Sequence, residues 1–361
     1  MSSFAHFIKE VQKGINGGQL WLPLRQGKLG SNIMFGKNMY YLFGGLPGSG
    51  KTAIVDTMFV LEPYRWWLKH RDKTNIKPFW IYRSMERSKS LKIAKWTAYL
   101  MLVDHGILID VPTIMGWPNK LRSLSEKEIK IIKDYEPFFE EMEKHIIIID
   151  GSAHPTKIKH FASEFAMSKG KLIQVDDYNK KYLQHDTDEI FIHVTDHVGK
   201  ITTEKDGNGK LNDKQILDLH SQYMGELRDK FGYAVIDISQ LNREIEGTYR
   251  GVNTDLDIQP KDFKGSADLY ENADVVIGLM NPYKLQCFTY GGYEIKEFVN
   301  DKGYNRFRGL KVIKNSYGID DFRIGYQFFG ENGMMVELPN SEEINYKQLK
   351  EGKYAKQFLR G

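Results

Sequence analysis

An eight-residue turn, GLPGSGKT at 45–52, constrains the fold more than any other feature of the chain, and it follows the apolar run MYYLFGG. The turn fits the pattern G-x-x-x-x-G-K-[ST] at every position. Glycines let the backbone turn tightly, so that its N–H groups point inward at phosphate oxygens. The helix that follows presents its positive N-terminal end to the same site. This stretch therefore predicts a strand, a phosphate-binding loop and a helix, in that order.

The residue types in the loop match the chemistry of a nucleoside triphosphate. Lys51 is expected to reach the β- and γ-phosphates of ATP, and the Thr52 hydroxyl is expected to ligate Mg²⁺. The other loop residues expected to contact the nucleotide are Gly45, Pro47, Gly48, Ser49 and Gly50. A chance glycine turn is the alternative, but the strand before the loop and the amphipathic helix after it count against that alternative.

Apolar runs typical of strands recur along the chain, with helical patterns between them. Most of these runs are continuous rather than alternating, which indicates strands buried on both faces. The alternation predicts an α/β fold with a mainly parallel central sheet flanked by helices. Four further runs, LQCFTY, EIKEFV, LKVIKN and FRIGYQF, predict a C-terminal antiparallel extension over about 285–338. The predicted parallel strands are 39–45, 79–85, 145–150, 189–196, 233–239 and 274–280, and the predicted helices are 52–69, 89–102, 125–144, 158–168 and 213–231.

Composition limits the class of protein. Among 361 residues, 41% are hydrophobic and 27% are charged, which is typical of a globular protein with a core of its own. A single cysteine, Cys287, excludes an intramolecular disulfide and fits a reducing cytosol. No apolar stretch approaches the roughly 18 residues of a membrane helix, and the first residues do not form a signal peptide. We therefore expect a cytoplasmic protein with no membrane partner. The net charge of +4 permits a nucleic-acid partner without arguing for one.

Carboxylates at predicted strand ends are candidates for organising Mg²⁺. Asp196 follows the run IFIHVT, where a parallel strand would end, and could hold the water shell of the metal beside Thr52. Asp150 closes HIIIID in the same manner and is the competitor. Asp176 and Asp177 are weaker candidates, because the run before them is short. A loop aspartate or a helix cap is the alternative role for Asp196.

Two more polar residues follow predicted strands. Glu86 comes after FWIYRSM and could polarise the attacking water, although a surface glutamate is an equally good interpretation from position alone. Gln240 comes after YAVIDIS. An uncharged amide there could sense the γ-phosphate, and the alternative is an amide that caps a strand end.

The order of these pieces resembles the RecA-like ATPase domain of DnaB-type replicative helicases over roughly residues 12–338. After the phosphate loop, YRSMERS at 82–88 is similar to the family segment whose glutamate activates water, and that glutamate falls on Glu86. IFIHVTDHVGKI is similar to the strand that ends in the metal-associated aspartate, which is Asp196, with His197 where the family usually has a tyrosine.

The longest match is DLHSQYMGELRDKFGYAVIDISQLNRE, which is similar to the family's helix, buried strand and Ser-Gln-Leu-x-Arg ending. The resemblance gives Gln240 the sensor role and Arg243 the basic position after it. DFKGSADLYENADVVIGL at 262–279 keeps the family spacing, with Lys264 in place of an arginine.

Two departures from the family pattern bear on activity. The family's late Lys-x-Arg-x-Gly element inserts a lysine and an arginine into the ATP site of the neighbouring subunit. KNSYG at 314–318 keeps Lys314, but Ser316 stands at the arginine position. An arginine finger contributes several powers of ten in related phosphate chemistry. Either Lys314 suffices, or turnover is slow, or another arginine substitutes; the candidates are Arg306, Arg308 and Arg323.

The second departure concerns the N-terminal helical domain of the family, which is not expected in this chain. Residues 1–38 are expected to form a leader whose segment FAHFIKEVQKGI is either a docking helix between subunits or a helix that packs on its own domain. Residues 39–340 are expected to be the RecA-like ATPase domain, and 341–361 a polar C-terminal tail. A virus or mobile element as the source would suit such a compact form.

The resemblance implies that two loops contact nucleic acid, because in this family the loops after the strands that end in Asp196 and Gln240 line the central channel of the ring. Backbone binding needs lysine and arginine more than base-reading side chains. Acidic residues are interspersed in both loops, so solvated turns are the alternative. The candidates in the first loop are Lys200, Lys205 and Lys210, and those in the second are Arg243, Arg250 and Lys264.

The resemblance implies an ATP-dependent DNA helicase motor for replication. It would use ATP and Mg²⁺, form a homo-oligomeric ring, expected to be a hexamer, and translocate on single-stranded DNA, with primase or loader proteins as candidate partners. Two alternatives remain open. One is a RecA- or RadA-like recombinase that forms filaments on DNA. The other is a regulatory or assembly ATPase with weak turnover, which Ser316 supports.

Overall fold

The computed structural model describes residues 3–15, 21–25, 27–120, 122–206, 209–242, 258–263 and 267–360. Its strands are β1 Met39–Gly45, β2 Lys77–Ser84, β3 Ile146–Asp150, β4 Gly170–Gln174, β5 Lys180–Gln184, β6 Glu189–Asp196, β7 Lys205–Asp206, β8 Gly209–Lys210, β9 Ala234–Gln240, β10 Val275–Met280, β11 Thr289–Tyr290, β12 Tyr293–Glu294, β13 Phe307–Asn315, β14 Phe322–Phe329 and β15 Met334–Glu337.

The helices alternate with these strands through most of the fold. They are α1 Ser3–Ile15, α2 Gly27–Asn32, α3 over 51–70, α4 Lys89–His105, α5 Val111–Ile114, α6 Glu126–Asp134, α7 Glu136–Glu143, α8 Pro155–Ser168, α9 Asp213–Phe231, α10 Ala267–Asn272, α11 Tyr346–Lys350 and α12 Lys353–Arg360. The middle of α3, Val55–Leu61, is π-helical. Helix α3 therefore changes its hydrogen-bond pattern one turn after the phosphate loop.

Nine strands form one sheet in the order β15-β14-β13-β10-β1-β9-β6-β2-β3. The six strands from β10 to β3 in that order are parallel to their neighbours, and β13, β14 and β15 are added in antiparallel pairs. The carboxyl ends of the parallel strands therefore meet at one edge of the sheet, beside the phosphate loop that follows β1. The predicted α/β fold, with its antiparallel extension, is confirmed.

The sheet separates two apolar cores, because successive side chains along a strand point to opposite faces of the sheet. In β1, Tyr41 and Phe43 face the core formed with α3 and α4, whereas Tyr40 and Leu42 face the core formed with α8 and α9. All four side chains are fully buried. This explains why the run MYYLFGG is continuously apolar.

Local signals fix the ends of the helices that flank the sheet. The bounds predicted for α9 are confirmed at both ends. Asn212 caps its start in a capping box with Gln215, and Gly232 ends it in the left-handed conformation, with φ of 75°. Ser88 and Gly106 do the same for α4. The helix predicted over 125–144 breaks at Tyr135 into α6 and α7, because Pro137 in the first turn of α7 cannot donate a backbone hydrogen bond.

Two of the four predicted C-terminal strands are wrong. EIKEFV contains a 3₁₀ helix, Ile295–Phe298, whose residues Ile295 and Phe298 lie three apart and are both buried. LQCFTY begins inside another 3₁₀ helix, Pro282–Leu285, which a proline in the first turn favours. Only the two-residue strands β11 and β12 remain, joined by two glycines with positive φ, as a tight hairpin turn requires.

A hairpin that the apolar pattern did not predict lies outside the nine-stranded sheet. Strands β4 and β5 pair in antiparallel register, and Asp176 stabilises the turn between them. Its Oδ1 accepts hydrogen bonds from the backbone N–H groups of Tyr178 and Asn179. Asp176 and Asp177 are exposed turn residues, so the weaker metal candidates lie outside the edge that carries the phosphate loop.

The N-terminal helix α1 carries an exposed apolar face. Phe4 is 69% exposed, Phe7 is 56% exposed and Ile15 is 78% exposed. The C-terminal helix α12 is held against the body of the protein by Arg25. This arginine donates a hydrogen bond to the carbonyl oxygen of Phe358 and lies over its ring. Within the described ranges, no helix has the length and apolar character needed to cross a membrane.

A buried histidine in β6 makes the fold sensitive to acid. His193 is fully buried, and neither ring nitrogen has a hydrogen-bond partner among the described residues. Burial lowers the pKa of His193 from 6.5 to about 3, although Asp237 opposes this shift. The unfolded chain therefore binds a proton below about pH 6.5 that the folded chain does not bind, so stability is lost as pH falls from there toward 3.

We expect the substitution His193→Leu to reduce this acid sensitivity. The histidine accounts for a loss of about 2 kcal/mol in unfolding free energy between pH 7 and pH 5. Urea unfolding at both pH values should show the loss shrinking by that amount in the variant. His160→Gln is the matched control, since that imidazole is exposed. An unchanged pH dependence in His193→Leu would contradict this account.

Candidate active site

The phosphate loop leaves the carboxyl end of β1 and enters α3 at Lys51. Gly48 and Gly50 have φ of 74° and 99°, values that favour glycine. Lys51 Nζ donates to the carbonyl oxygens of Gly45, at 2.7 Å, and Leu46, at 3.1 Å, so the ammonium folds back over the loop. Burial lowers the pKa of Lys51 to about 8, while Glu86 and Asp196 oppose the shift.

The loop fits the phosphates of a nucleotide on two observations. A Cβ at Gly45 would lie 2.5 Å from Ser49 Oγ and 2.6 Å from the carbonyl oxygen of Leu279, so only glycine allows this close turn. Ser49 Oγ is itself buried and lacks a hydrogen-bond partner among the described residues. A buried polar atom of this kind is costly unless a ligand satisfies it. The adjacent hydroxyl of Thr52 and carboxylate of Asp196 are the oxygen donors that Mg²⁺ prefers.

Asp196 lies at the centre of a polar cluster of five residues, of which four are buried and Thr52 is half-buried. We call these residues the Asp196 cluster: Asp56, Tyr82, Lys92, Asp196 and Thr52. Thr52 Oγ1 donates to Asp196 Oδ1 at 2.9 Å. Lys92 Nζ donates to Asp196 Oδ2 at 2.9 Å and to the Tyr82 hydroxyl at 2.7 Å. The Tyr82 hydroxyl in turn donates to Asp56 Oδ1 at 2.7 Å. The cluster joins α3, β2, α4 and the end of β6.

The charges of the cluster stabilise one another. Lys92 and Asp196 are each 1% exposed, and Asp56 is 2% exposed. Burial alone would raise the pKa of Asp196, but Lys92, Thr52 and Tyr82 outweigh it and lower that pKa. Burial alone would lower the pKa of Lys92, but the two carboxylates outweigh it and raise that pKa. Asp196 therefore remains a carboxylate beside Thr52 across the neutral pH range.

Glu86 lies two residues beyond β2 and contacts His197. His197 Nδ1 accepts a hydrogen bond from the backbone N–H of Gly199 at 3.0 Å, so the ring proton belongs on Nε2. That nitrogen lies 2.8 Å from Glu86 Oε1. His197 therefore holds one oxygen of Glu86, and the second oxygen remains available.

Gln240 also lies at the edge of the sheet where the parallel strands end. It lies opposite Gly45 in the parallel register of β1 and β9, and the two strands bring its amide to the phosphate loop. Gln240, Glu86 and Thr52 line one cleft of 260 Å³ above the loop. The structure thus brings together the predicted loop residues, Glu86, Asp196 and Gln240.

Lys314 lies at the opposite edge of the sheet. In β13 it is paired with Val276 at the start of β10, whereas the phosphate loop follows the other end of the parallel strands. Its ammonium donates to the carbonyl oxygens of Tyr270 and Glu271 at the end of α10. Ser316 is exposed just beyond it. Neither residue can therefore reach the cleft above the phosphate loop of the same chain.

The three arginines considered as substitutes for the finger differ in access. Arg308 is buried and stacks over Phe328, and its low exposure prevents it from reaching another subunit. Arg306 forms an ion pair with Glu331 at 2.9 Å. Arg323 is exposed on β14. Of the three, only Arg323 has the exposure that a finger needs.

The predicted nucleic-acid loops are only partly described. Lys200 is exposed in a 3₁₀ helix, Val198–Lys200, and Lys210 is exposed in the small β7–β8 hairpin, whose first residue is Lys205. Both elements follow Asp196 along the chain, so the first loop begins at the cleft. Arg243, Arg250 and Lys264 lie outside the described residues.

The sequence interpretation missed Lys92, and it assigned no role to Asp56 or Tyr82. A signal was present, since three lysines follow Glu86 at a spacing of three, Lys89, Lys92 and Lys95, and the last two lie in a segment that is otherwise mostly apolar. Asp150, the competitor of Asp196, is exposed on the edge strand β3 and accepts a hydrogen bond from the backbone N–H of Lys89.

Comparisons with known proteins bear on the fold. The sequence matches no protein-family model, and no curated protein matches it at a significant level. Among solved structures, the isolated ATPase domain of a DnaB-like helicase aligns with a TM-score of 0.64 at 16% identity, over 94% of this chain and 100% of that chain. This chain has the fold of a DnaB-like helicase ATPase domain.

A second solved structure agrees. A DnaB-like replicative helicase, solved to show its interactions with primase, aligns with a TM-score of 0.61 at 14% identity, over 94% of this chain and 67% of that chain. The predicted RecA-like fold, and the resemblance to the DnaB-type ATPase domain, are confirmed at the level of the fold.

We expect Lys92→Met to destabilise the protein by about 3–5 kcal/mol, because it leaves two buried carboxylates without their cation. The double variant Asp56→Asn/Lys92→Met should recover part of that loss, since only one carboxylate then stays uncompensated. Urea unfolding measures both. Lys89→Met on the same helix is the control, because its exposed pair with Glu143 contributes little. A loss below about 1 kcal/mol in Lys92→Met would contradict the role given to the cluster.

Proposed function

We propose that this chain is an ATP-driven motor that translocates on single-stranded DNA as a ring, with six subunits, and separates strands during replication. The convergence of Thr52, Glu86 and Gln240 on one cleft above the phosphate loop, with Asp196 hydrogen-bonded to Thr52, carries the proposal. The fold shared with DnaB-like helicase ATPase domains supports it. Bound ATP with Mg²⁺ would supply a γ-phosphoryl group whose transfer to water drives the motor.

The protein's own residues divide the work of holding the phosphates. Loop N–H groups from Gly48 to Thr52 would donate to the phosphate oxygens, and the Lys51 ammonium, which here donates to the carbonyl oxygens of Gly45 and Leu46, would bind the phosphates in their place. Thr52 Oγ1 and Asp196 Oδ1 hold the metal side of the site. Lys92 keeps the other oxygen of Asp196 engaged, so the carboxylate presents a fixed orientation.

Glu86 is the proposed base. His197 Nε2 holds Glu86 Oε1, which leaves Oε2 to accept the proton of the attacking water. Gln240 sits opposite Gly45, where its amide can respond to the terminal phosphate. Because Gln240 ends β9 immediately before the second loop, this response can pass along the chain toward the DNA.

Assembly and DNA contact rest on surface features. The exposed apolar face of α1, with Phe4, Phe7 and Ile15, suits docking on a neighbouring subunit, and the position of Lys314 away from its own cleft suits action in trans. Lys200, Lys205 and Lys210 in the first loop, and Arg243, Arg250 and Lys264 in the second, are the proposed backbone contacts. Primase or loader proteins are the proposed partners, in the cytoplasm.

The rate of ATP hydrolysis with and without single-stranded DNA tests the proposal. We expect DNA to stimulate turnover strongly, and Glu86→Gln to reduce the stimulated rate by about 10²-fold or more, because the base is lost. Asp150→Asn, at the end of the neighbouring strand, is the matched control and should behave like the unmodified protein.

Other outcomes would favour the alternatives. Appreciable turnover that is indifferent to DNA would contradict the motor and favour an ATPase that acts on a protein. No turnover under either condition would favour a regulatory protein with weak activity, the role that Ser316 supports. Stimulated turnover with open filaments on DNA, detected by mass measurement with ATP, would favour a recombinase.

A further inference from the structure

A second lysine lines the cleft above the phosphate loop. Lys95 lies one turn after Lys92 on α4, so both side chains project from the same side of that helix. Lys92 is paired with the carboxylates of the Asp196 cluster. Lys95 Nζ, in contrast, makes no hydrogen bond or ion pair with any described residue.

The fold leaves space for this side chain. Gly333, in the turn before β15, has φ of 82°, and a Cβ there would come within 3.2 Å of Lys95 Cε. Burial is the main influence on Lys95 and lowers its pKa; Asp56 and Asp196 oppose the shift, whereas Lys92 and Arg87 add to it. Lys95 lines the same cleft as Thr52 and Glu86. A cation without a partner in such a place is poised to receive an anion.

We propose that Lys95 binds the terminal phosphate of ATP from within the same subunit and supplies the positive charge that Ser316 cannot supply from a neighbour. This inference rests on the proposed function, since it assigns a further residue to the same site. In phosphoryl transfer, negative charge is spread over the equatorial oxygens of the transferred group, and a cation held in cis stabilises it as a finger in trans does. Lys51 serves the loop side of the phosphates, and Lys95 serves the opposite side of the cleft.

Nucleotide affinity measured by calorimetry tests this assignment without relying on turnover. Lys95→Met should weaken the affinity for a non-hydrolysable ATP analogue by about 10-fold or more, because a charge-assisted hydrogen bond is lost. The affinity for ADP, which lacks the terminal phosphate, should change less than about twofold. The rate of hydrolysis should fall by about 10²-fold, as when one transition-state donor is removed.

Three controls make the test specific. Lys95→Arg keeps the charge and should retain the preference for the triphosphate. Lys89→Met removes a lysine from the same helix whose ammonium pairs with Glu143, and it should match the unmodified protein. Lys95→Gln provides a polar replacement if the methionine variant does not fold, as judged by thermal unfolding without nucleotide.

Two results would overturn the inference. If Lys95→Met and Lys95→Gln weaken the ATP analogue and ADP equally, or weaken neither, Lys95 does not contact the terminal phosphate, and the proposed function stands without it. If the unmodified protein binds neither nucleotide, the proposed function fails and this inference fails with it. Turnover that is indifferent to DNA would contradict the motor alone and would leave the role of Lys95 intact.

Discussion

The site depends on one buried carboxylate. Asp196 accepts hydrogen bonds from Thr52 on one oxygen and from Lys92 on the other, and all three side chains come from different elements of the fold. The contact fixes the first turn of α3 against β6, and it fixes α4 against both. Because breaking a buried ion pair leaves an uncompensated charge, these elements cannot shift relative to one another without a large cost. The contacts of Asp196 with Thr52 and Lys92 therefore also hold in place the phosphate loop, which enters α3 at Lys51.

The same constraint arranges the residues that surround the cleft. The parallel register places Ser84 opposite Asp196, so Glu86, two residues beyond β2, emerges beside His197. Lys95 follows Lys92 by one turn on α4 and lines the cleft. Asp56, another member of the Asp196 cluster, lies in the π-helical middle of α3. One polar cluster thus lies beside the residues that we propose as the base, the metal ligands and the further phosphate-binding cation.

The sequence predicted the elements whose patterns are local. The phosphate loop, the buried strands and α9 follow from glycine placement, continuous apolar runs and capping residues, and these act over a few positions. The Asp196 cluster was not predictable in this way, because a lysine on a helix ordinarily faces solvent and only tertiary packing buries Lys92. The strand prediction for EIKEFV was wrong because tertiary packing decides this segment too. Ile295 and Phe298 are buried in the core from a 3₁₀ helix rather than from a strand. The solvent exposure of Arg308 and Arg323 likewise depends on how β13 and β14 pack.

Strand separation on a forked DNA, measured with ATP, is the most direct test of the proposed motor, because it requires the cleft, the ring and the DNA loops to work together. We expect release of the displaced strand with ATP, and no release with a non-hydrolysable analogue or with Glu86→Gln at any protein concentration. DNA-stimulated hydrolysis without release of the strand, on forks with either single-stranded arm, would contradict the claim that this chain is a helicase motor.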